Sequence, residues 1–99
     1  MAAYVCIVEA RLHVNESGSL KSKRKVISSL KAQLRKRFGA AVAEVDGQDT
    51  WQRSTIVCAL VGDGDVVARG DELERFIRSR CPDGCSFERD LRTLADIRG

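Results

Sequence analysis

Residues 46–53 concentrate polar side chains that could recognise a ligand. A tight turn needs only Gly, Asn or Asp, yet this segment offers two carboxylates, two amides, an indole and a guanidinium. We call five of these residues the recognition corner: Asp46, Gln48, Asp49, Trp51 and Gln52. The indole can stack on a base, the amides supply directional hydrogen bonds, and the neighbouring Arg53 can hold a phosphate. Alternatively, Trp51 covers the end of the core while the two carboxylates pair with basic residues of the same chain.

A second set of candidate binding residues is basic. Residues 19–38 carry eight cationic side chains and no acidic one: Lys21, Lys23, Arg24, Lys25, Lys31, Arg35, Lys36 and Arg37. The whole chain has a net charge of +3, so a segment of +8 leaves −5 for the remainder. A basic stripe on an otherwise acidic protein is typical of a polyanion-binding surface.

Four of these charges crowd the first two turns of the predicted helix, where the helix macrodipole disfavours them. Positions that break a local rule are often functional. The alternative is that acidic groups of the same chain neutralise the stripe. We predict that nucleic acid is contacted by Lys21, Lys23, Arg24, Lys25, Lys31, Arg35 and Arg53.

The cysteines and the single histidine favour neither a metal nor a cofactor. Cys81 and Cys85 have a CxxxC spacing, but a zinc site usually needs two more ligands nearby. Cys6 and Cys58 are predicted to face inward as small hydrophobic residues. We therefore predict no metal site, no cofactor and no functional disulfide.

Enzyme signatures are missing: the chain has no phosphate-cradling glycine loop, nucleophile elbow or paired histidines. An acid–base set of His13, Glu44, Asp46 and Asp49 is conceivable. Carboxylates beside a basic stripe, however, are more often salt-bridged than poised for proton transfer. We predict that the protein is not an enzyme.

The hydrophobic pattern predicts six elements. Alternating residues indicate strands, and spacings of three and four indicate helices. The predicted strands are 4–14, 41–45, 53–61 and 85–95, and the helices are 19–38 and about 65–81, with Ser19 and Gly39 as caps of the first helix.

This order, β-α-β-β-α-β, predicts one α+β domain over residues 1–99, a ferredoxin-like sandwich with two helices on one face of a four-stranded antiparallel sheet. This topology places the third strand between the first and the second, with the fourth strand beside the first. It also brings His13, the start of the basic helix, the 46–53 segment and residues 81–85 to one end of the molecule.

The uncovered sheet face has no aromatic residue, which argues against stacking of RNA bases on it. An apolar strip of Val5, Ile7, Val57, Ala59 and Val42 could instead form a dimer surface, or be an ordinary half-covered surface.

Composition is that of a globular protein: 43% of the 99 residues are hydrophobic and 31% are charged. The N-terminal apolar run contains Glu9 and Arg11, so neither a signal peptide nor a membrane span is predicted. We therefore expect a cytoplasmic protein with reduced thiols.

Three strings of the sequence, together with His13, carry a family resemblance: SLKSKR at 19–24, LRKRF at 34–38 and AEVDGQDTWQR at 43–53. The chain resembles the bacterial YlxP-like family of unknown function over almost its whole length. The resemblance implies a ferredoxin-like fold. Genes of the family often lie between those of a translation initiation factor and ribosome-binding factor A, which implies a role in ribosome maturation or translation.

Two functions are expected from these observations. The first is a small RNA- or ribosome-associated protein that binds a phosphate-rich surface through the basic helix. The alternative is an interaction or regulatory module, a homodimer through the open sheet face, that binds an acidic partner or a small anion at the 46–53 segment.

Overall fold

The computed structural model describes residues 2–14, 18–47 and 52–99. Its elements confirm the predicted β-α-β-β-α-β order and add a short helix at the end. They are β1 (Tyr4–His13), α1 (Leu20–Phe38), β2 (Ala41–Asp46), β3 (Arg53–Gly62), α2 (Val66–Arg80), β4 (Cys85–Thr93) and α3 (Leu94–Arg98). The protein is thus an α+β fold.

The four strands form one antiparallel sheet in the order β2-β3-β1-β4, as predicted. Every second residue of β1 and β3 is buried against α1 and α2, which follows from the period-two alternation of the strands. This core includes Cys6, Val8, Ala10, Leu12, Ile56, Cys58 and Leu60 from the sheet, and Ile27, Leu30, Leu34, Val66, Leu73 and Ile77 from the helices.

Both predicted caps of α1 are confirmed. The Ser19 hydroxyl oxygen accepts a hydrogen bond from the Ser22 backbone N–H at 3.1 Å, which satisfies one of the free donors of the first turn. Gly39 adopts a left-handed conformation at φ 63°, and its N–H donates to the Arg35 carbonyl. The caps fix where the helix begins and ends.

Arg89 of β4 ties α2 to the sheet. Its guanidinium donates to Glu74 at 2.6 and 2.9 Å and to Asp71 at 2.9 Å. Gly70 permits this close approach, because a Cβ there would lie 3.2 Å from both the Cys6 sulfur and Arg89 Nη1. A glycine that weakens the helix by propensity therefore serves the packing of the helix on the sheet.

The last predicted strand, 85–95, is too long. β4 ends at Thr93, where a capping box begins α3: the Thr93 hydroxyl accepts from the Asp96 N–H, and the Asp96 carboxylate accepts from the Thr93 N–H. These reciprocal bonds favour a helix start over a further strand residue. The Thr-x-x-Asp spacing was the available signal in the sequence.

Gly47 should tolerate no side chain. It has φ +83°, and a Cβ there would lie 2.6 Å from the Arg53 carbonyl oxygen. We expect Gly47→Ala to lower the free energy of unfolding by about 2 kcal/mol or more, measured by chemical denaturation. The matched control is Gly64→Ala, where nothing lies within 4 Å. Equal stability of the two variants would contradict the steric constraint at Gly47.

Candidate nucleic-acid interface

Lys23, predicted to contact nucleic acid, is buried. Its Nζ donates to Glu44 Oε2 at 2.8 Å and to the Gly47 carbonyl at 2.6 Å, and its side chain is 1% exposed. The expectation that this cation faces solvent is therefore wrong. The physical reason is its place on the helix: Lys23 lies four residues before Ile27, on the same buried stripe, a spacing that could have revealed it.

Glu44 is the centre of this buried network. The Ser54 hydroxyl also donates to Glu44 Oε2, so one carboxylate holds α1, β2 and β3 together. Burial alone would raise the pKa of Glu44, but hydrogen bonds from Lys23 and Ser54 hold that pKa below its ordinary value. Sequence reasoning missed the pairing of Glu44 with Lys23 and Ser54.

The other cations of α1 lie outside the buried stripe. Lys21, Arg24, Lys25 and Lys36 are exposed and Lys31 is partly exposed. Within the described part of the chain, none of these five forms an ion pair with a carboxylate. Together with Arg35 they form a surface that we call the outer face of α1. It is about 22 Å long between Lys21 and Lys36.

Small residues separate the two ends of this face. A shallow depression there is lined by Lys21, Arg24, Lys25, Ser28, Ser29 and Ala32. Because Ser and Ala have short side chains, a polyanion backbone can approach the helix between the cations. The outer face therefore combines positive charge with an accessible surface.

Arg35 and Arg37 make contacts within the protein. Arg35 Nη2 donates to the Val42 carbonyl at 2.9 Å, and the Arg37 guanidinium lies 4.6 Å from the centre of the Phe76 ring. Both side chains remain exposed. The contact with Val42 orients the Arg35 guanidinium, and its other donors form no hydrogen bond with the described residues.

Arg53 lies at the same end of the molecule as the start of α1 but on the other face of the sheet. It is paired with His13, and these two line a cleft of about 540 Å³ together with Arg11, Asp46 and Ser86, among others. The helices cover the face that carries the alternate residues Leu12 and Ser54. Arg53 therefore does not extend the outer face of α1.

The recognition corner is described only in part, because Gln48, Asp49 and Trp51 lie outside the described residues. Asp46 is exposed, and its carboxylate accepts from the Gly47 N–H at 2.8 Å. Gln52 is exposed, and its backbone carbonyl accepts a hydrogen bond from the Val14 backbone N–H at 2.9 Å. The predicted gathering of chain segments at this end is confirmed: His13 N–H also donates to the Gly84 carbonyl at 2.9 Å.

The conceivable acid–base set is not assembled among the described residues. Glu44 is paired in register with the buried Ile56, on the helix side of the sheet, whereas His13 and Asp46 line the cleft on the other side. Asp49 lies outside the described residues.

All four cysteines are free thiols. Burial raises the pKa of Cys58 to about 12 and the pKa of Cys81 to about 11, and for Cys81 the nearby Cys85 and Asp83 add to this effect. Over ranges 2–14, 18–47 and 52–99, no group of three or more metal-ligating side chains comes together. No helix in the same ranges has the length and apolarity needed to cross a bilayer.

The open sheet face is apolar toward the start of β1. Cross-strand rows join Val5 with Val61, and Ile7 with Ala59 and Ala41. Val42 was predicted in this strip but is opposite the buried Cys58 and packs against the core. Ala41 of β2 lies opposite Ala59, an open-face residue of β3. The odd-numbered residues at the start of β2 therefore lie on the open face, as do those of β1 and β3.

The fold and the outer face of α1 define a small α+β protein with exposed cationic side chains along its first helix. A family model described as "Protein of unknown function (DUF503)" matches residues 5–83. "Uncharacterized protein YlxP" of Bacillus subtilis (strain 168) is 32% identical over 69 residues, which cover 70% of this chain and 74% of that protein. The chain therefore belongs to the YlxP-like family, as the sequence motifs indicated.

One solved structure with a similar fold is "De novo designed protein Foldit4". It has a TM-score of 0.54 and 12% sequence identity, covering 91% of this chain and 96% of that chain. At this identity the likeness concerns the fold alone.

The Lys23–Glu44 pair should be important for stability. Lys23→Met removes the buried cation that donates to the largely buried Glu44 carboxylate, so we expect the free energy of unfolding to fall by about 3 kcal/mol. Lys21→Met removes the same charge from an exposed site and should change it by no more than about 0.5 kcal/mol. Urea denaturation of both variants measures the difference. A Lys23→Met protein as stable as Lys21→Met would refute the stabilising role of the Lys23–Glu44 pair.

The same pair should make stability depend on pH. Because the folded pKa of Glu44 is depressed, its contribution is present above the ordinary pKa of glutamate, about 4.3, and is lost as pH falls through the folded value. The stability difference between wild type and Glu44→Gln should therefore be largest near neutral pH and shrink in acid. Denaturation curves of both proteins from pH 7 to pH 3 test this, and a constant difference would contradict it.

Proposed function

We propose that this protein is a small, cytoplasmic, non-enzymatic RNA- or ribosome-associated protein that acts in ribosome maturation or translation. It binds a phosphate-rich surface through the outer face of α1. The observation that carries the proposal is the set of exposed cations on that face that form no ion pair with a carboxylate of the described residues. The gene neighbourhood implied by the family resemblance points in the same direction.

The positions of these charges support an external partner. Lys21 lies in the first turn of α1, where the positive end of the helix macrodipole disfavours an exposed cation by about 0.3–1 kcal/mol. Arg24 and Lys25 follow in the second turn, where the effect is weaker. A phosphate bound there would relieve this repulsion and also interact favourably with the helix terminus. The burial of Lys23 accounts for one of the four unfavourable positions by internal pairing and leaves the other three.

We also propose that the fold is the ferredoxin-like sandwich, on the basis of the strand order and of both long helices packing on one core. RNA-binding domains of this architecture often stack bases on aromatic residues of the sheet. Here the central open-face positions are Val5, Ile7, Val57 and Ala59, none of them aromatic. Binding through the helix side therefore fits this chain better than binding through the sheet.

Electrostatic binding of this kind should respond to charge reversal on the outer face. We expect Arg24→Glu to weaken binding to a labelled ribosomal RNA fragment about tenfold at low salt, measured by fluorescence anisotropy. Arg75→Glu makes the same charge change at an exposed position of α2 and should have a much smaller effect. The logarithm of the wild-type affinity should fall linearly with the logarithm of the salt concentration.

Two outcomes would refute the proposal. One is that the wild-type protein binds neither ribosomal RNA fragments nor isolated ribosomal subunits at low salt. The other is that Arg75→Glu weakens binding as much as Arg24→Glu, which would indicate that net charge and not the outer face is responsible.

A second candidate function is a homodimeric interaction module that binds an acidic partner or a small anion in the Arg53 cleft. The observation that favours it is the apolar part of the open face, where Val61 is 67% exposed. Light scattering distinguishes the two candidates: a stable dimer that Val61→Glu dissociates, together with salt-insensitive partner binding, would support the second.

A further inference from the structure

A groove runs between α1 and the C-terminal end of α2, beside the outer face of α1. Its volume is about 380 Å³, and Cys81 lies in it together with Lys25, Val26, Ser29, Leu30, Gln33 and Arg80. This volume is at the small end of the range for ligand pockets in proteins, about 300–1,000 Å³. The groove therefore has room for one heterocycle and not for a helix.

The floor of the groove is apolar. Leu30 is 3% exposed and Cys81 is 5% exposed, so both present only a small surface from the core. Val26 is 41% exposed, so it presents an apolar surface to water at the edge of the groove. A flat apolar ligand would cover Val26 and remove its surface from water.

The rim supplies charge and directional hydrogen bonding. Lys25 and Arg80 both border the groove, and the Arg80 guanidinium is held 4.9 Å from the centre of the Phe76 ring. Gln33 Nε2 donates to the Ser29 hydroxyl at 3.0 Å, which leaves the Gln33 amide oxygen and the Ser29 hydroxyl hydrogen for a ligand edge.

These features match an unstacked nucleobase. A base has apolar faces and a polar edge, and in a strand it carries a phosphate on each side. An acidic peptide offers the charge without a flat apolar face, and a regular duplex offers phosphates while its bases stay stacked. The charge complementarity of Lys25 and Arg80 with flanking phosphates thus selects a single-stranded segment.

We infer that this groove holds one unstacked base of a single-stranded RNA segment, with its flanking phosphates on Lys25 and Arg80. The inference rests on the proposed function and gives it a preference: single-stranded or looped RNA over duplex. It also assigns a binding role to Val26, Ser29, Gln33 and Arg80, which the sequence pattern did not single out.

The test is the ratio of two affinities, one for a single-stranded RNA heptamer and one for the duplex that it forms with its complement. We expect wild type to favour the single strand and Ser29→Leu, which fills the groove, to lower that preference about five- to tenfold. Ser28→Leu is the matched control, because Ser28 is the preceding exposed residue of α1 and lines the depression but not the groove. Because the depression belongs to the outer face of α1, Ser28→Leu should weaken both affinities to the same extent and leave their ratio unchanged.

The outcomes separate the two proposals. If wild type binds neither these RNAs nor ribosomal RNA fragments or subunits at low salt, the proposed function is contradicted. Binding of ribosomal RNA without any binding of the heptamer overturns the groove alone. Binding of both RNAs with a ratio that Ser29→Leu shifts no more than Ser28→Leu overturns the groove and leaves the outer face of α1 in place. Binding of a glutamate-rich peptide that is lost in Ser29→Leu, without a single-strand preference, identifies an acidic peptide as the occupant and likewise overturns the inference.

Discussion

The buried ammonium group of Lys23 is the interaction on which the rest of the binding end depends. It bridges the first turns of α1 to Glu44 of β2 and to the Gly47 carbonyl of the following hairpin, and Ser54 of β3 completes the set. Burying a charge is costly unless a partner and hydrogen bonds compensate it. Because this cation has two acceptors, it ties the start of α1 both to β2 and to the residue that follows β2.

The burial of Lys23 also shows that the basic residues of the chain have different roles. Lys23 is used for structure, the outer face of α1 remains available to a partner, and Arg53 belongs to the cleft on the other side of the sheet. The two longest strings that carry the family resemblance, 19–24 and 43–53, meet at the Lys23–Glu44 contact. Part of what makes these motifs recognisable is therefore a requirement of the fold, and similarity in them alone does not identify a binding residue.

Local patterns predicted most of the fold, because strand alternation, helix periodicity and the caps Ser19 and Gly39 are written in short stretches of sequence. Contacts between distant segments were harder. The Lys23–Glu44 pair joins residues 21 positions apart, and nothing in either segment alone distinguishes a buried lysine from a surface one except its spacing from Ile27. The groove was missed for the same reason: it depends on how α2 lies against α1, and only the packing of both helices on one sheet determines that.

The contact between Arg35 and the Val42 carbonyl has a consequence for self-association. β2 is an edge strand of the sheet, and free edge carbonyls invite pairing with a strand of another molecule. A guanidinium bonded to a carbonyl of this strand, together with the strand's length of only six residues and its irregular register near the end, disfavours such pairing. The same arginine that faces a prospective ligand thereby protects the sheet from open-ended growth into aggregates.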